Sequence, residues 1–426
     1  MDWPIALGCF SPLALAHVPG AEVALSPFLI TAFPISAPFR LDQVTTAPGL
    51  LAALAVGQLV GAAVLDISGR RGWHRLWWQA VGVFLILTLV FFTLATWGTS
   101  DTTKINHALT TNRAGGTVGE PFWWLLGPLF LHLPYRMAFV HGMVASGYAG
   151  AALALARRWG VPAWAGWWAL FLTWSPLLRS FLQNGITRQA LSTLLLLPLF
   201  LRLAGLLPIR KPLVLLGVVG SASSHTTFPF SLGLALSPLL VGPGLKRFLA
   251  SLRRQWLWPL AAAMVLVLVI VVPVTVQKLA IYSGEGTFFS SYSLLPEVRR
   301  LQLAMALGLV GACWQHRLGP KRLLDCALSR LLLLFAGLYG LLQWAAAKEW
   351  FASIAFRLSD GVGLLLLVLV LAWLHHYNSQ AWLWPALLVT LHYWFFIRIL
   401  PSGDLMCGKD DAFLCVPDRW PWQIRY

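Results

Sequence analysis

Residues 77–97 read WWQAVGVFLILTLVFFTLATW. A helix needs about 20 apolar residues to cross a hydrocarbon core of about 30 Å, and this run supplies them without a single charge. The apolar residues are continuous instead of alternating, which selects a helix over a strand of a membrane barrel. Similar runs, roughly 16–24 residues long, recur from one end of the chain to the other, so what holds for this segment holds for the whole.

Composition agrees. The 426 residues are 58% hydrophobic and only 11% charged, where a soluble globular protein carries about 25% charge. Mean hydropathy is +0.72. An integral membrane protein of the all-α class is expected, with the 23 tryptophans suited to interfacial belts. The net charge of +16 would suggest nucleic acid in a soluble domain. Here the basic residues are dispersed between apolar runs, as membrane topology requires, and nucleic acid is not an expected partner. The chain opens Met-Asp-Trp-Pro without a basic stretch or a clear cleavage site, so no removed signal peptide is expected. Cys9, Cys313 and Cys326 lie in or near apolar runs, and Cys407 and Cys415 share the polar tail. No pair has the spacing of zinc ligands, and no metal site is expected. In an oxidising compartment the tail pair could form a disulfide; two free thiols are the alternative.

Sidedness follows from five basic clusters: Arg70, Arg71 and Arg75; Arg157 and Arg158; Arg210 and Lys211; Lys246, Arg247, Arg253 and Arg254; and Arg317, Lys321 and Arg322. The positive-inside rule places all five in the cytoplasm, so the chain crosses an even number of times between neighbours. Spans are expected near 77–97, 135–156, 161–178, 189–207, 257–276, 298–314, 325–346, 361–375 and 381–400. The stretch 213–242 is too short for two full helices, yet parity demands two crossings or a re-entrant hairpin, with His225 at its turn. With one or two spans before residue 48, about 13–14 are expected. No internal repeat is evident. One membrane domain over 1–400 and a short polar tail over 401–426 result.

This topology gathers Asp101, Glu120, Arg179, Arg188, His225, Lys278, Glu285, Arg299, Arg300, Lys348, Glu349, Arg357 and Asp360 on the outer side. Ionisable groups at membrane depth are costly unless they face a cavity or a partner, so a polar outer chamber is the simplest arrangement. Arg179, Lys278, Glu285 and Lys348 also fit as ordinary loop charges. Glu120 precedes Pro121, where a carboxylate favours a helix start. It also precedes Trp123 and Trp124, and rings beside a carboxylate suit a sugar-binding groove. Either Glu120 or Asp101 could act as general base towards an acceptor hydroxyl, or each could be a structural or solvated charge. Arg188 heads a long apolar helix and could hold phosphate through its fork of donors, or snorkel to headgroups. Gln189 and Asn184 could add neutral hydrogen bonds. His225 could be a base, a phosphate donor or a satisfied core histidine. Arg357 and Asp360, three apart, would share a helix face and could form an internal ion pair. Arg299 and Arg300 are weaker phosphate candidates. No Walker loop, nucleophile elbow or HExxH motif is present.

The order of the motifs GTSDTTKINHAL, GEPFWWLLGPL, ITRQALSTLLLLPLFL, SSHTTFPFSL and FRLSDGVG, over about residues 98–375, resembles the EpsG family of exopolysaccharide polymerase-like membrane proteins. The family's tyrosine after the loop aspartate is replaced here by the stretch Lys104-Ile105-Asn106-His107. The resemblance implies joining of lipid-linked oligosaccharides, with Asp101, Glu120, Arg188, His225 and Arg357 at the family's recurring polar positions.

The expectation is thus a polytopic helix bundle, with a GT-C-like arrangement as one form it could take. It would act as a polysaccharide polymerase on polyprenyl-pyrophosphate-linked oligosaccharides at the outer face of a bacterial inner membrane. Arg188, Gln189, Arg357, Trp123 and Trp124 would bind substrate, and Glu120, Asp101 or His225 would serve catalysis. No cofactor is needed, because arginine can supply the positive charge. Membrane lipid and polysaccharide assembly and export proteins are the expected partners. A polyprenyl-phosphate-sugar glycosyltransferase, a lipid-linked oligosaccharide flippase and an assembly scaffold are the alternatives.

Overall fold

The computed structural model of the chain describes residues 47–95, 122–123, 136–183, 187–241, 296–347 and 352–394. They are helices and short connections, with no strand among the described residues. Among the described residues, five helices are long and apolar enough to cross a membrane, with spans at Leu50–Arg71, His74–Ala95, Phe139–Arg158, Ala327–Ala346 and Ile354–His376. The chain is an all-α membrane protein.

Two compact units emerge. The first contains the described residues up to Trp174, those within Leu182–Thr187 and those from Thr390 onward; the second contains Ser175–Phe181 and the described residues from Arg188 to Val389.

In the first unit, α1 (Ala47–Arg71), α2 (His74–Ala95) and α3 (Arg136–Arg158) pack in sequence, and the short α4 (Ala165–Thr173) rests on α1 and α3. Bilayer-spanning helices have no hydrophobic drive to associate within lipid, so close approach depends on small residues. A Cβ on Gly166 would lie 2.5 Å from Ala62 Cα, and one on Gly142 would collide with the Leu89 carbonyl and the Thr93 hydroxyl. Gly72, at φ +68°, ends α1 in the left-handed conformation that glycine adopts freely. Phe91, Phe92, Trp174 and Trp394 form an aromatic core, with Phe91 and Trp394 edge to face at 5.0 Å.

The span expected near 161–178 is interrupted. A 3₁₀ turn at Pro162–Trp164 leads into α4, and a new helix, α5, begins at Pro176 and runs to Gln183. Proline lacks the N–H that would continue α4 and disfavours helical backbone in the residue before it, so the chain restarts with Pro176 at a first-turn position.

The second unit continues through α6 (Thr187–Leu203), which holds Pro198 in its interior, and then α7 (Lys211–Ser224), α8 (Phe228–Leu236) and α9 (Pro238–Val241). Residues 213–242, where two crossings or a re-entrant hairpin are expected, form short apolar helices, with His225 extended between α7 and α8. Then come α10 (Pro296–Gln315), α11 (Pro320–Asp325), α12 (Ala327–Ala347), α13 (Ala352–His376) and, after a 3₁₀ turn, α14 (Trp384–His392). α13 begins well before the expected 361, which brings Arg357 and Asp360 inside the helix instead of leaving them in a preceding loop. It is also the centre of its unit: 83% of its span is buried, against 33% for α12, which it packs against. A helix enclosed on all sides must find a partner in each direction for its polar residues. The expected spans near 257–276 and before residue 48 lie outside the described residues, as do Cys9, Cys407 and Cys415.

Candidate functional site

Successive residues on a helix turn by about 100°, so Arg357, Ser359, Asp360 and Gly361 of α13 cannot all face one neighbour. The contacts follow that geometry. Towards α12, Ser359 Oγ accepts a hydrogen bond from Gln343 Nε2 at 2.7 Å. About 100° further round, Asp360 Oδ2 accepts from Ser180 Oγ of α5 at 3.2 Å. A second step brings the helix against α6. Gln189 Nε2 donates to the Arg357 carbonyl at 3.2 Å, and a Cβ on Gly361 would lie 3.7 Å from both Gln189 Nε2 and Thr193 Oγ1.

These contacts bring α5 and the heads of α6 and α13 together, and each supplies an arginine. Arg188 adjoins Gln189, Arg179 adjoins Ser180, and Arg357 carries the carbonyl that Gln189 bonds. The Nε atoms of all three guanidinium groups are shielded from solvent. Arg179 is 3% exposed, so the loop-charge reading of it is corrected: Ser180's bond to Asp360 draws this turn of α5 into the interior. Arg299 and Arg300 are exposed.

Three buried polar atoms here have no hydrogen-bond partner among the described residues: Gln189 Oε1, Thr193 Oγ1 and Gln343 Oε1. Gln189 is 0% exposed and Thr193 3%. A buried acceptor left unsatisfied costs about 1–3 kcal/mol, a cost tolerated where a ligand supplies the missing partner.

α7 and the turn after it are registered to α6 by a second set of contacts. Ser192 Oγ and Ser221 Oγ are 2.6 Å apart, and Gly217 lies directly against the Leu195 carbonyl. The two helices run in opposite directions, so one turn back from Ser192 and one turn forward from Ser221 lead the same way, by about 6 Å. Those turns reach Arg188 and His225. The two sequence-predicted residues therefore lie at one level, Arg188 on α6 and His225 in the extended link after α7. His225 Nδ1 accepts from the Thr227 backbone N–H at 3.1 Å and is 2.7 Å from Thr227 Oγ1. That network assigns the ring proton of neutral His225 to Nε2, which makes Nε2 a donor; this suits holding an anion better than removing a proton.

Trp123 belongs to the first unit, is 1% exposed, and meets Phe122 edge to face at 5.2 Å. Asp101, Glu120, Trp124 and Asn184 lie outside the described residues, as do Lys278, Glu285, Lys348 and Glu349. Among the described residues no group of three or more His, Cys, Asp or Glu could hold a metal ion. Sequence reading passed over Ser180, Ser192, Thr193, Ser221, Gln343 and Ser359. Their signal was weak but present: small hydroxyls and amides inside apolar runs, where each must find a partner within the protein.

Comparison with protein-family models, curated proteins and solved structures finds no match. The functional reading therefore rests on the chemistry of the site and on the motif order in the sequence.

Proposed function

We propose that the protein is a membrane glycosyltransferase of the polysaccharide polymerase type. It would act on oligosaccharides carried by polyprenyl pyrophosphate, at the outer face of a bacterial inner membrane, and belong with the EpsG family that its motif order resembles. The observation that carries this reading is the Gln189–Arg357 hydrogen bond, which draws two arginine-bearing helix heads together inside a membrane bundle. Arginine forks match phosphate oxygens, and in a water-poor setting such donors stabilise the charge that develops as a phosphate-linked group leaves. The new bond joins an acceptor hydroxyl oxygen to the anomeric carbon of the donor sugar, and the bond from that carbon to the pyrophosphate oxygen breaks. The hydroxyl proton passes to a carboxylate base, for which Glu120 and Asp101 are the candidates. The leaving pyrophosphate is held by Arg188 and Arg357, with His225 as a further donor.

The test uses purified protein with a synthetic polyprenyl-pyrophosphate oligosaccharide, comparing wild type with Arg188→Ala, Arg357→Ala and Glu120→Gln. Chain growth in the wild type that the variants lose is expected. Transfer of the substrate across a vesicle membrane without elongation would overturn the reading in favour of a flippase. Growth only with a polyprenyl-monophosphate sugar would overturn the choice of donor. Asn184→Cys, in a protein otherwise free of cysteine, should react with an impermeant maleimide from the outer side only.

A further inference from the structure

The first unit carries a cationic feature of its own, where α1 finishes, α2 begins and α3 finishes. α1 ends at Arg70 and Arg71, and the turn through Gly72 continues Trp73-His74-Arg75 into α2. Trp77 of α2 donates its indole N–H to the Pro162 carbonyl at 3.1 Å, which ties the start of α2 to the turn that follows α3. Arg157 and Arg158, in the last turn of α3, are thereby brought to the same edge.

Two arginine–tryptophan stacks are built here. The Arg71 guanidinium carbon lies 5.6 Å from the Trp73 ring centre. That of Arg157 lies 5.4 Å from Trp77 and 5.9 Å from Trp78, and Arg157 Nη1 is 3.5 Å from His74 Nδ1. Stacking leaves the edge of a guanidinium, where its N–H groups lie, open to further acceptors, and it fixes the fork before any ligand arrives. Trp73 and Trp78 are 48% and 56% exposed, and Arg71, Arg75, Arg157 and Arg158 are exposed as well. Asp66 bonds Arg70 at 2.8 Å, which leaves four further arginines at this edge.

What covers such an edge is fixed by where it occurs. The spans Leu50–Arg71, His74–Ala95 and Phe139–Arg158 end or begin at these residues, so the edge lies at the depth of lipid headgroups. At that depth tryptophan rings sit among glycerol and carbonyl groups, and arginine meets phosphate. We infer that this edge is a binding site for an anionic phospholipid, whose phosphodiester is gripped by Arg71 and Arg157 while Trp73 and Trp78 flank its glycerol. The inference is independent of the glycosyltransferase reading, because it concerns different residues and a different ligand.

The experiment measures retained lipid by native mass spectrometry on the full chain, purified in detergent and offered equal phosphatidylglycerol and phosphatidylcholine. Wild type should keep phosphatidylglycerol preferentially. Each of Arg71→Gln and Arg157→Gln should weaken that preference about fivefold, as expected for one arginine at an anionic surface. Lys321→Gln with Arg322→Gln, which removes two exposed charges from the second unit, should leave it unchanged. Trp78→Leu, which keeps every charge, should shorten lipid retention and so separates a built site from general attraction. Equal retention of both lipids by the wild type would overturn the proposal. So would an equal loss in the Lys321/Arg322 control, or protection of the site by inorganic phosphate as strong as by the lipid.

Discussion

Gln58 in the first unit and Gln189 in the second are both 0% exposed, and both reach from one helix to a backbone carbonyl on another. Gln58 completes the arrangement. Its Nε2 donates to the Leu87 carbonyl at 3.1 Å, and its Oε1 accepts from the Trp174 indole. Gln189 stops halfway: Nε2 bonds the Arg357 carbonyl, while Oε1 is buried with no partner among the described residues. Much of the first unit's polar interior is closed in the manner of Gln58. His141 and Thr187 are 2.6 Å apart, Ser146 bonds the Leu85 carbonyl, and Trp394 bonds the Trp174 carbonyl. The second unit brings buried Arg179 and half-buried Arg188 and Arg357, each with its Nε shielded, close to hydroxyls and amides that lack partners among the described residues. Among the described residues the first unit leaves one buried hydroxyl without a partner, that of Tyr148, whereas the second leaves four hydroxyls and amides so, those of Gln189, Thr193, Ser231 and Gln343, a difference of the kind that separates binding sites from scaffolds.

The largest effect separating them should come from Arg188. Arg188→Ala is expected to lower chain elongation about 10²–10³-fold, the scale of removing a donor aimed at developing charge. Arg188→Lys should recover only a part, since a point charge does not replace a planar fork. Elongation rates measured at saturating lipid-linked substrate check this. Full activity in Arg188→Ala would remove the second unit's claim to the chemistry.

Next in size is a packing effect confined to the first unit. Gly142→Ala places a methyl group against the Leu89 carbonyl, which cannot withdraw without moving α2, and against the Thr93 hydroxyl, which would have to give up its bond to that carbonyl. Overpacking of this kind costs about 1–3 kcal/mol, to be read as a lower midpoint of thermal unfolding in detergent.

The glutamine pair provides the sharpest contrast. Gln58→Leu removes the acceptor used by the Trp174 indole and should cost about 1–3 kcal/mol of stability, with activity per folded molecule preserved. Gln189→Leu discards one hydrogen bond and an unsatisfied acceptor, so it should cost less than about 1.5 kcal/mol, yet reduce elongation about tenfold. Equal stability losses, with equal activities, would mean that both amides are merely structural.

The sequence made some of this legible and hid the rest for identifiable reasons. Periodicity and length were enough for α2, whose uninterrupted apolar run has only one regular way to satisfy its backbone in lipid. The short pair α7 and α8, with His225 between them, was legible from length alone. The break before Pro176 was signalled locally, but the high hydropathy on either side hides it in any average over 20 residues. Averaging also concealed the early start of α13, because Arg357 and Asp360 make a buried helix head resemble a loop. Arg179 misled for the same reason. The bonds Ser180–Asp360 and Gln343–Ser359 were not legible at all: the first joins residues 180 positions apart, and no local pattern encodes a partner at that distance.

The smallest predicted effect tests whether the reserve at Gln189 includes space. Gly361 of α13 faces Gln189, Thr193 and Phe181, and a Cβ there would find them at 3.7, 3.7 and 3.9 Å, all ordinary contacts. Gly361→Ala should therefore fold as well as the wild type. It should even gain up to about 1 kcal/mol, because alanine loses less conformational freedom in a helix than glycine does. Gly142→Ala, at a seam with no such room, is its opposite in sign. Activity should move the other way. The added methyl lies beside the amide of Gln189 and the hydroxyl of Thr193, the two groups that a ligand would have to reach, so elongation should fall a few-fold, mainly through a raised KM. A loss of stability in Gly361→Ala as large as that in Gly142→Ala would show the α6–α13 contact to be as tightly closed as the α2–α3 seam. The distinction between a closed scaffold and a binding site would then fail at the position where it is most exposed to test.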